Sequence, residues 1–573
     1  MTGMPTAPPQ VVPPAPASAN DNEALTRIKA RLARPMPSDR LMGWLLPIAI
    51  TVLGGAMRFW RLTRPGGHTL PNTGKSTQGL VFDEVYYAHD SWGLLKHGVE
   101  TSGDGRGPGF VVHPPLGKWM MALGELIFDH GKTVMQNNTV YPASPLAFRF
   151  MGALLGTLAI LIVARIARRM FRSTALGVIA GALLAVDGLE FVQSRIATLD
   201  IYLMFWVLAA FGCLVIDRDY ARNRLADRLG GPVLPHEWGP STGVRPWRWA
   251  AGLCTGAAMA TKWNGAYFVL AFIALSIAWD VGARRTAGSR QGLVYGIVFS
   301  GIPILTAFIF VPAVVYTASW TGWFLSNSQY AYHHDFYVHA GQSWLSHDWA
   351  VFRGWLKYQR EIWNYDKTLH AAHPYLSKPL GWQVLSRPVA YYYQAPSGCG
   401  ASSCSQAILG IGNPALWWAA IPALFLALWR WVARRDWRGG AIVLVYLAGW
   451  LPWVFEELGT VHTDPACTPA GDCHRTMFLY YMLPNVPFMV LAVTMAIGVA
   501  IGHRSMSTVR RTVGIATASG YLAVCIVLFG FFYPVLAAQT ITYAQWRDRI
   551  WFSHSCDEAK HRNEHHENAL CWI

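Results

Sequence analysis

The chain is short of charge. Of its 573 residues only 14% are Asp, Glu, Lys or Arg, where a soluble domain carries about 25%. That deficit excludes an intrinsically disordered chain, which stays soluble through charge, and it is foreign to a soluble enzyme. Cysteine is sparse too: nine residues are too few for a disulfide scaffold in a chain of this length. No signal peptide precedes the first apolar stretch; residues 1–40 open with a Pro/Ala-rich run from Pro5 to Pro16 and read as a disordered tail. Apolar and aromatic residues are abundant instead: 53% are hydrophobic, with 27 Trp, 26 Phe and 23 Tyr, and the mean hydropathy is +0.25. A polytopic membrane protein is the expected class. The net charge of +15 would suit nucleic acid as a partner only if it were gathered into one binding surface.

A membrane-spanning helix needs about 20 mostly apolar residues. Eleven such stretches occur, near 41–58, 146–164, 174–192, 199–216, 247–262, 264–280, 292–316, 411–430, 440–455, 477–502 and 513–537. The basic residues fall in alternate connections: before residue 41, then at 165–172, 218–248, 284–290, 430–438 and 504–511. By the positive-inside rule that side is cytoplasmic. The N-terminus is then inside and the C-terminus outside a plasma membrane, and the charge needs no nucleic acid to explain it. Three cysteines, Cys213, Cys254 and Cys525, fall within spans. The other six lie outside in three local pairs, so disulfides Cys399–Cys404, Cys467–Cys473 and Cys556–Cys571 are expected.

The outer segments 59–145, 317–410 and 538–573 are too long to be simple connectors. In the first, apolar residues recur at helical spacing after Glu84 and again after Pro115, over stretches too short to span. They predict two helices lying in the membrane interface. Asp83 and Glu84 stand at the start of the first helix. Acids at that position also suit the helix macrodipole, and on their own they need no further role. Other polar residues gather on the same side, however: Arg58 and Arg61, Arg149, Gln193, Ser194, Arg195 and Asp200, and Lys262. Charges at membrane depth are tolerated where they pair or line a wet cavity. Cations at headgroup depth beside a carboxylate suit a lipid-phosphate-linked sugar, its phosphate held by Arg and Lys and the carboxylate deprotonating an acceptor hydroxyl. With an ordinary pKa near ~3.9 the carboxylate is a weak base, which would make proton transfer late.

Phe82-Asp83-Glu84-Val85, followed by His113-Pro114-Pro115-Leu116-Gly117-Lys118, resembles the first outer loop of the protein O-mannosyltransferases of the GT-C type. The resemblance continues in order through Phe148-Arg149-Phe150, Gln193-Ser194-Arg195 with Leu199-Asp200, Thr261-Lys262-Trp263, Tyr358 to Pro379, Arg387-Pro388-Val389 with Tyr391 to Tyr393, Gly412-Asn413-Pro414, and Arg475 to Tyr481 with Leu483-Pro484. It covers about 41–500. It implies an all-α GT-C fold of about eleven spans, and inverting transfer of mannose from polyprenyl-phosphate-mannose to Ser/Thr hydroxyls of secreted proteins on the outer face of the plasma membrane. Carried over by position, Asp83 is the catalytic base and Glu84 its partner. His113, Lys118, Arg149, Arg195, Asp200, Lys262 and one of Arg58 and Arg61 surround the donor phosphate and sugar. A retaining route needs a second carboxylate as nucleophile at the same carbon, and Glu84, next to Asp83 in sequence, is poorly placed for it. The segment 317–410 is too short for the β-trefoil domain of eukaryotic members, which points to the bacterial type.

The resulting organisation is a tail at 1–40, a GT-C module at 41–316 with its catalytic loop at 59–145, an aromatic-rich outer loop region at 317–410, further spans at 411–537 and an outer tail at 538–573. Membrane lipids, and for secreted acceptors the secretion channel, are the expected partners besides donor and acceptor. No cofactor is expected, although a weak divalent-metal requirement stays open. Two alternatives remain: a GT-C transferase moving another lipid-linked sugar to a glycolipid or cell-wall glycan, and a transporter. A transporter would place its polar groups at the bilayer midplane, whereas here they gather at the outer helix ends.

Overall fold

The computed structural model describes residues 19–69, 76–77, 79–326, 329–338, 343–369, 373–459, 475–502, 505–552 and 572. All eleven apolar stretches contain helix. Among the described residues nine helices are long and apolar enough to cross a membrane: Met42–Phe59, Pro145–Phe171, Asp200–Arg228, Trp263–Ala287, Gly301–Ser319, Pro414–Arg434, Trp437–Leu458, Leu479–Ile501 and Thr508–Leu536. Two expected spans are shorter. Thr174–Ala185 has 12 residues, about 18 Å of helix, and stops because Asp187 opens a separate short helix by accepting from the Glu190 amide at 2.9 Å. Pro246–Met259 has 14 residues, and its chain turns at Lys262 into a one-turn 3₁₀ segment.

Local signals place the helix that matters most to the site. Ser144 caps Pro145–Phe171 by accepting from the Leu146 amide, proline holds the first helical position, and Arg172 ends the helix in the left-handed region. The two short helices expected after Glu84 and after Pro115 are present as Glu84–His97 and Leu116–Phe128. The second is docked through the Leu116 amide on the Ala260 carbonyl at 3.0 Å. At Gly117 a Cβ would stand 2.7 Å from Leu199 and 3.0 Å from Thr261, so only glycine allows this approach to two site-bearing segments.

Three of the basic segments, before residue 41, at 165–172 and at 218–248, meet one another at one end of the bundle. Arg168 pairs with Asp39, Arg169, Arg172 and Arg218 with Asp219, and Arg245 and Arg248 with Asp217 and Asp280. These three basic segments, drawn from alternate connections, thus share one end of the bundle. Within the expected tail, Ala19–Leu32 is helical rather than disordered, because Leu25, Ile28 and Leu32 pack on Leu225, Leu229 and Ala287.

At the opposite end, 317–410 is more than a loop: it holds the 25-residue helix Trp344–Thr368 and the strands Val389–Gln394 and Cys404–Gly410. Thr540–Thr542 completes that antiparallel sheet. The start of the expected outer tail is thus built into the fold, and Trp572 is buried, its indole donating to the Leu385 carbonyl at 2.8 Å.

Candidate active site

Asp83 and Glu84 are neighbours with opposite fates. Glu84 is fully buried. Its carboxylate takes a two-pronged bond from Arg149, Nε at 2.7 Å and Nη2 at 2.6 Å, and accepts the Val81 and Ala197 amides at 2.8 and 2.9 Å. The other Arg149 donors reach the carbonyls of Leu62, Arg64 and Gly79. Every N–H of that guanidinium is engaged within the protein, so Arg149 faces no donor phosphate here; it fastens the start of helix Glu84–His97 to the second span.

Three more of the expected phosphate ligands are likewise committed. Arg58 is buried in an ion pair with Glu190 and donates to the Gly54 carbonyl. Arg195 donates to the carbonyls of Met57, Arg58, Trp60 and Arg61, closing the C-terminal end of the first span, where carbonyls lack helical partners. Lys118 is buried between Glu100 at 2.5 Å and Asp90 at 3.3 Å. Arg61 is exposed and lies over the Trp60 ring. The physical reason is common to the buried ones: a cation taken out of water needs a counter-charge or a ring of carbonyls. Each has recruited partners from distant segments that local reading does not reveal.

What remains is a compact set. Lys262 Nζ sits 3.0 Å from both carboxylate oxygens of Asp200 and 4.8 Å from the centre of the Tyr481 ring. Asp83 lies within electrostatic reach of both. It heads its helix, where a negative charge complements the macrodipole, but its side chain makes no cap bond. Burial pushes its carboxyl up to about 6; Lys262 pulls it down and Asp200 pushes it further up. His113, with its ring 6.1 Å from that of Tyr87, is driven well below its ordinary pKa by burial and then by Lys262, Lys118 and Arg475. At neutral pH it is an uncharged hydrogen-bonding group and adds no positive charge for a phosphate.

The backbone before Asp83 is held in an unusual state. Phe82 has φ +50°, a left-handed conformation that non-glycine residues adopt rarely and that persists when surroundings over-determine it. Its ring is packed edge-on against His373, Tyr391, Phe478 and Tyr480, with centroids 5.1–6.1 Å away. Tyr391 stands where the strand register shifts between Ala390 and Tyr392, and such irregularities commonly re-aim side chains beside active sites. Its hydroxyl accepts from Gln193 Nε2 at 2.5 Å.

Sequence reasoning gave no role to Tyr87, Tyr391, Tyr480, Tyr481 or Arg475, although four of them stand in quoted motifs. Arg475 donates to the Asp366 carbonyl at 3.1 Å and stands 3.7 Å from its carboxylate. The available signal was its position: like Arg149, it is a single Arg opening an apolar stretch on the Asp83 side. The Cys399–Cys404 disulfide is formed; Cys467, Cys473, Cys556 and Cys571 lie outside the described residues. Among the described residues no three His, Cys, Asp or Glu side chains gather where they could hold a metal ion.

Residues 80–324 match the dolichyl-phosphate-mannose-protein mannosyltransferase family, and residues 351–457 match the C-terminal four-transmembrane region of protein-O-mannosyltransferase. The chain is 37% identical over 530 residues to the polyprenol-phosphate-mannose–protein mannosyltransferase of Mycobacterium tuberculosis, covering 90% of this chain and 92% of that protein. It is 31% identical over 490 residues to the protein of that name from Corynebacterium glutamicum, covering 82% and 87%. Its fold superposes on a chain of the Saccharomyces cerevisiae protein O-mannosyltransferase Pmt1–Pmt2 complex bound to the sugar donor, with a TM-score of 0.65, 14% identity and coverage of 94% and 97%. By sequence and by fold, the chain belongs to the protein O-mannosyltransferases, a family of GT-C glycosyltransferases.

Proposed function

We propose that this enzyme transfers mannose from polyprenyl-phosphate-mannose to Ser/Thr hydroxyls of secreted proteins, at the outer face of the plasma membrane, in one inverting displacement. Asp83 takes the proton of the acceptor hydroxyl as its oxygen bonds to the anomeric carbon. The bond from that carbon to the phosphate oxygen breaks, and polyprenyl phosphate leaves. Lys262, oriented by Asp200, and Arg475 are the cations that meet the phosphate. Neutral His113 and the hydroxyls of Tyr391 and Tyr481 offer hydrogen bonds to phosphate or sugar. Glu84, Arg149, Arg58, Arg195 and Lys118 hold the framework, and the reaction as written uses no metal. The end of the bundle that carries the clustered basic segments is cytoplasmic, so acceptors meet Asp83 as they leave the secretion channel.

One observation carries the reading: next to a carboxylate locked in a saturated ion pair stands a second, uncapped one, raised to about 6 and facing a Lys–Asp pair. A carboxylate so raised is a far better base at neutral pH than an ordinary one, which eases the late proton transfer that its usual pKa would impose. The test is direct: purified enzyme, polyprenyl-phosphate-mannose and a Ser/Thr-rich peptide, with the product read by mass. No transfer by the wild type overturns the function; full activity in Asp83→Asn overturns the base. Transfer to a glycolipid but not to peptide would favour the alternative acceptor class.

A further inference from the structure

The helix Trp344–Thr368 has two apolar faces, and among the described residues only one is buried. Val351, Trp355, Tyr358 and Ile362, spaced by four, three and four residues, are buried against Trp320, Trp323 and Val99. A second stripe, Leu345, Trp349, Leu356 and Trp363, lies about a third of a turn away at 100° per residue and is 65%, 60%, 46% and 51% exposed. Arg353, Arg360 and Lys367, all exposed, border this stripe along its other edge. A greasy stripe rich in Trp and Leu with cations along its border is the pattern of a helix lying in a bilayer interface, and Trp is the residue enriched at that depth.

The buried face connects this helix to both sides of the candidate site. The Tyr358 hydroxyl receives the Val111 amide at 3.0 Å and donates to the Val111 carbonyl at 3.2 Å, two residues before His113. Gln359 Oε1 accepts from the Tyr316 hydroxyl at 2.6 Å, and that hydroxyl accepts from the Trp263 indole at 2.8 Å, one residue after Lys262. Near its end the helix receives Arg475 on the Asp366 carbonyl at 3.1 Å. His113, Lys262 and Arg475 are thus all braced by one element whose outward stripe is, among the described residues, largely exposed, Trp363 alone meeting the Trp263 ring at its edge.

We propose that Trp344–Thr368 is a lipid-seated strut. Its outward stripe rests in the apolar margin of the bilayer, and Arg353, Arg360 and Lys367 bind the phosphates of anionic phospholipids. It thereby fixes the site at the depth where a lipid-linked phosphate sits. The cationic border favours lipid over a second copy of the chain, because an antiparallel isologous contact through this stripe brings like-charged borders together.

The test uses the full-length enzyme in nanodiscs containing phosphatidylglycerol, with spin labels on cysteines introduced singly at 349 or 356 on the stripe and at 347 or 361 off it. The strut predicts labels at 349 and 356 accessible to oxygen and shielded from a water-soluble nickel chelate, and the reverse at 347 and 361. Stripe labels open to the chelate overturn it, as do stripe labels shielded from both reagents, since a protein partner then covers the face. A kinetic arm rests on the transferase reading. Arg353→Gln/Arg360→Gln/Lys367→Gln raises the KM for a long-chain donor in anionic nanodiscs by up to about a hundredfold, at about fivefold for each of the three surface cations, and abolishes the advantage of anionic over zwitterionic lipid. Its activity on a short-chain, water-soluble donor in detergent is unchanged. Equal losses on both donors overturn the strut, whereas an inactive wild type overturns the transferase reading and leaves the accessibility result standing.

Discussion

The pH dependence of transfer tests Asp83 as the base. With an ordinary carboxyl pKa near ~3.9, a base would be fully ionised from pH 5 upward and the rate would be flat. Asp83 is raised to about 6. The ionised fraction of such a group is about one half at pH 6, nine-tenths at pH 7 and one-tenth at pH 5, so kcat/KM, which reports the free enzyme, falls about tenfold between pH 7 and pH 5. A phosphodiester donor stays singly charged over this range and adds no titration of its own. The neighbours then give opposite signs. Lys262 lowers the Asp83 pKa and Asp200 raises it. Lys262→Met removes the cation and also leaves Asp200 uncompensated, so the midpoint moves above 6. Asp200→Asn removes an anion and frees Lys262 for Asp83, so the midpoint moves below 6. In the kcat profile the bound phosphate adds a negative charge, placing that midpoint at or above the kcat/KM value. Initial rates from pH 4.5 to 8.5 with limiting donor measure all of this. A profile flat from pH 5 to 8, or both variants moving the midpoint in the same direction, refutes Asp83 as the base.

Asp83→Asn abolishes transfer yet raises the thermal midpoint in detergent. The folded-state pKa lies above the ordinary value, so above pH 6 the charge opposes folding by at most about 3 kcal/mol, less where water screens it. The gain vanishes as pH falls below about 4. Glu84→Gln destabilises by about 3–5 kcal/mol because it strands the buried Arg149 guanidinium, and Glu84→Met/Arg149→Leu recovers part of that loss of thermal midpoint. Phe82→Ala releases the aromatic cage around the left-handed residue. It lowers kcat more than it raises donor KM and shifts the pH midpoint toward the ordinary carboxyl range, whereas Phe82→Tyr keeps both. Cys399→Ser, opening a loop of only a few residues, costs about 2 kcal/mol on the chain-entropy account and leaves the pH profile untouched; reducing-agent titration of the thermal midpoint checks it.

Spans were legible in the sequence because bilayer thickness imposes a length and a composition that a linear reading detects. The basic alternation was legible for the same reason, and the contacts among Asp39, Arg168, Asp219 and Arg172 show the resulting shared end. The break at Asp187 was hidden, since one polar residue in an apolar run shows its capping role only when the Glu190, Asn413 and Trp417 donors are seen around it. Helix Trp344–Thr368 was hidden for a related reason: its two apolar faces together blur the single-stripe period by which amphipathic helices are recognised.

At the site, residue type and location were readable but commitment was not. Arg58, Arg149, Arg195 and Lys118 carry the charge a phosphate would want, and all stand at the right end of the molecule. Their usefulness as ligands depends on which acids and carbonyls face them, and apart from the Gly54 carbonyl beside Arg58 those come from 18 to 138 residues away in the chain. The same logic explains why Asp83 and not Glu84 is the proposed base. Two adjacent carboxylates at a helix start point different ways, and the second falls where Arg149, Val81 and Ala197 saturate it. The left-handed turn at Phe82 leaves the first uncapped among tyrosines and beside Lys262. An active site of this kind is defined less by the charges it gathers than by the few that the surrounding ion pairs leave unspent.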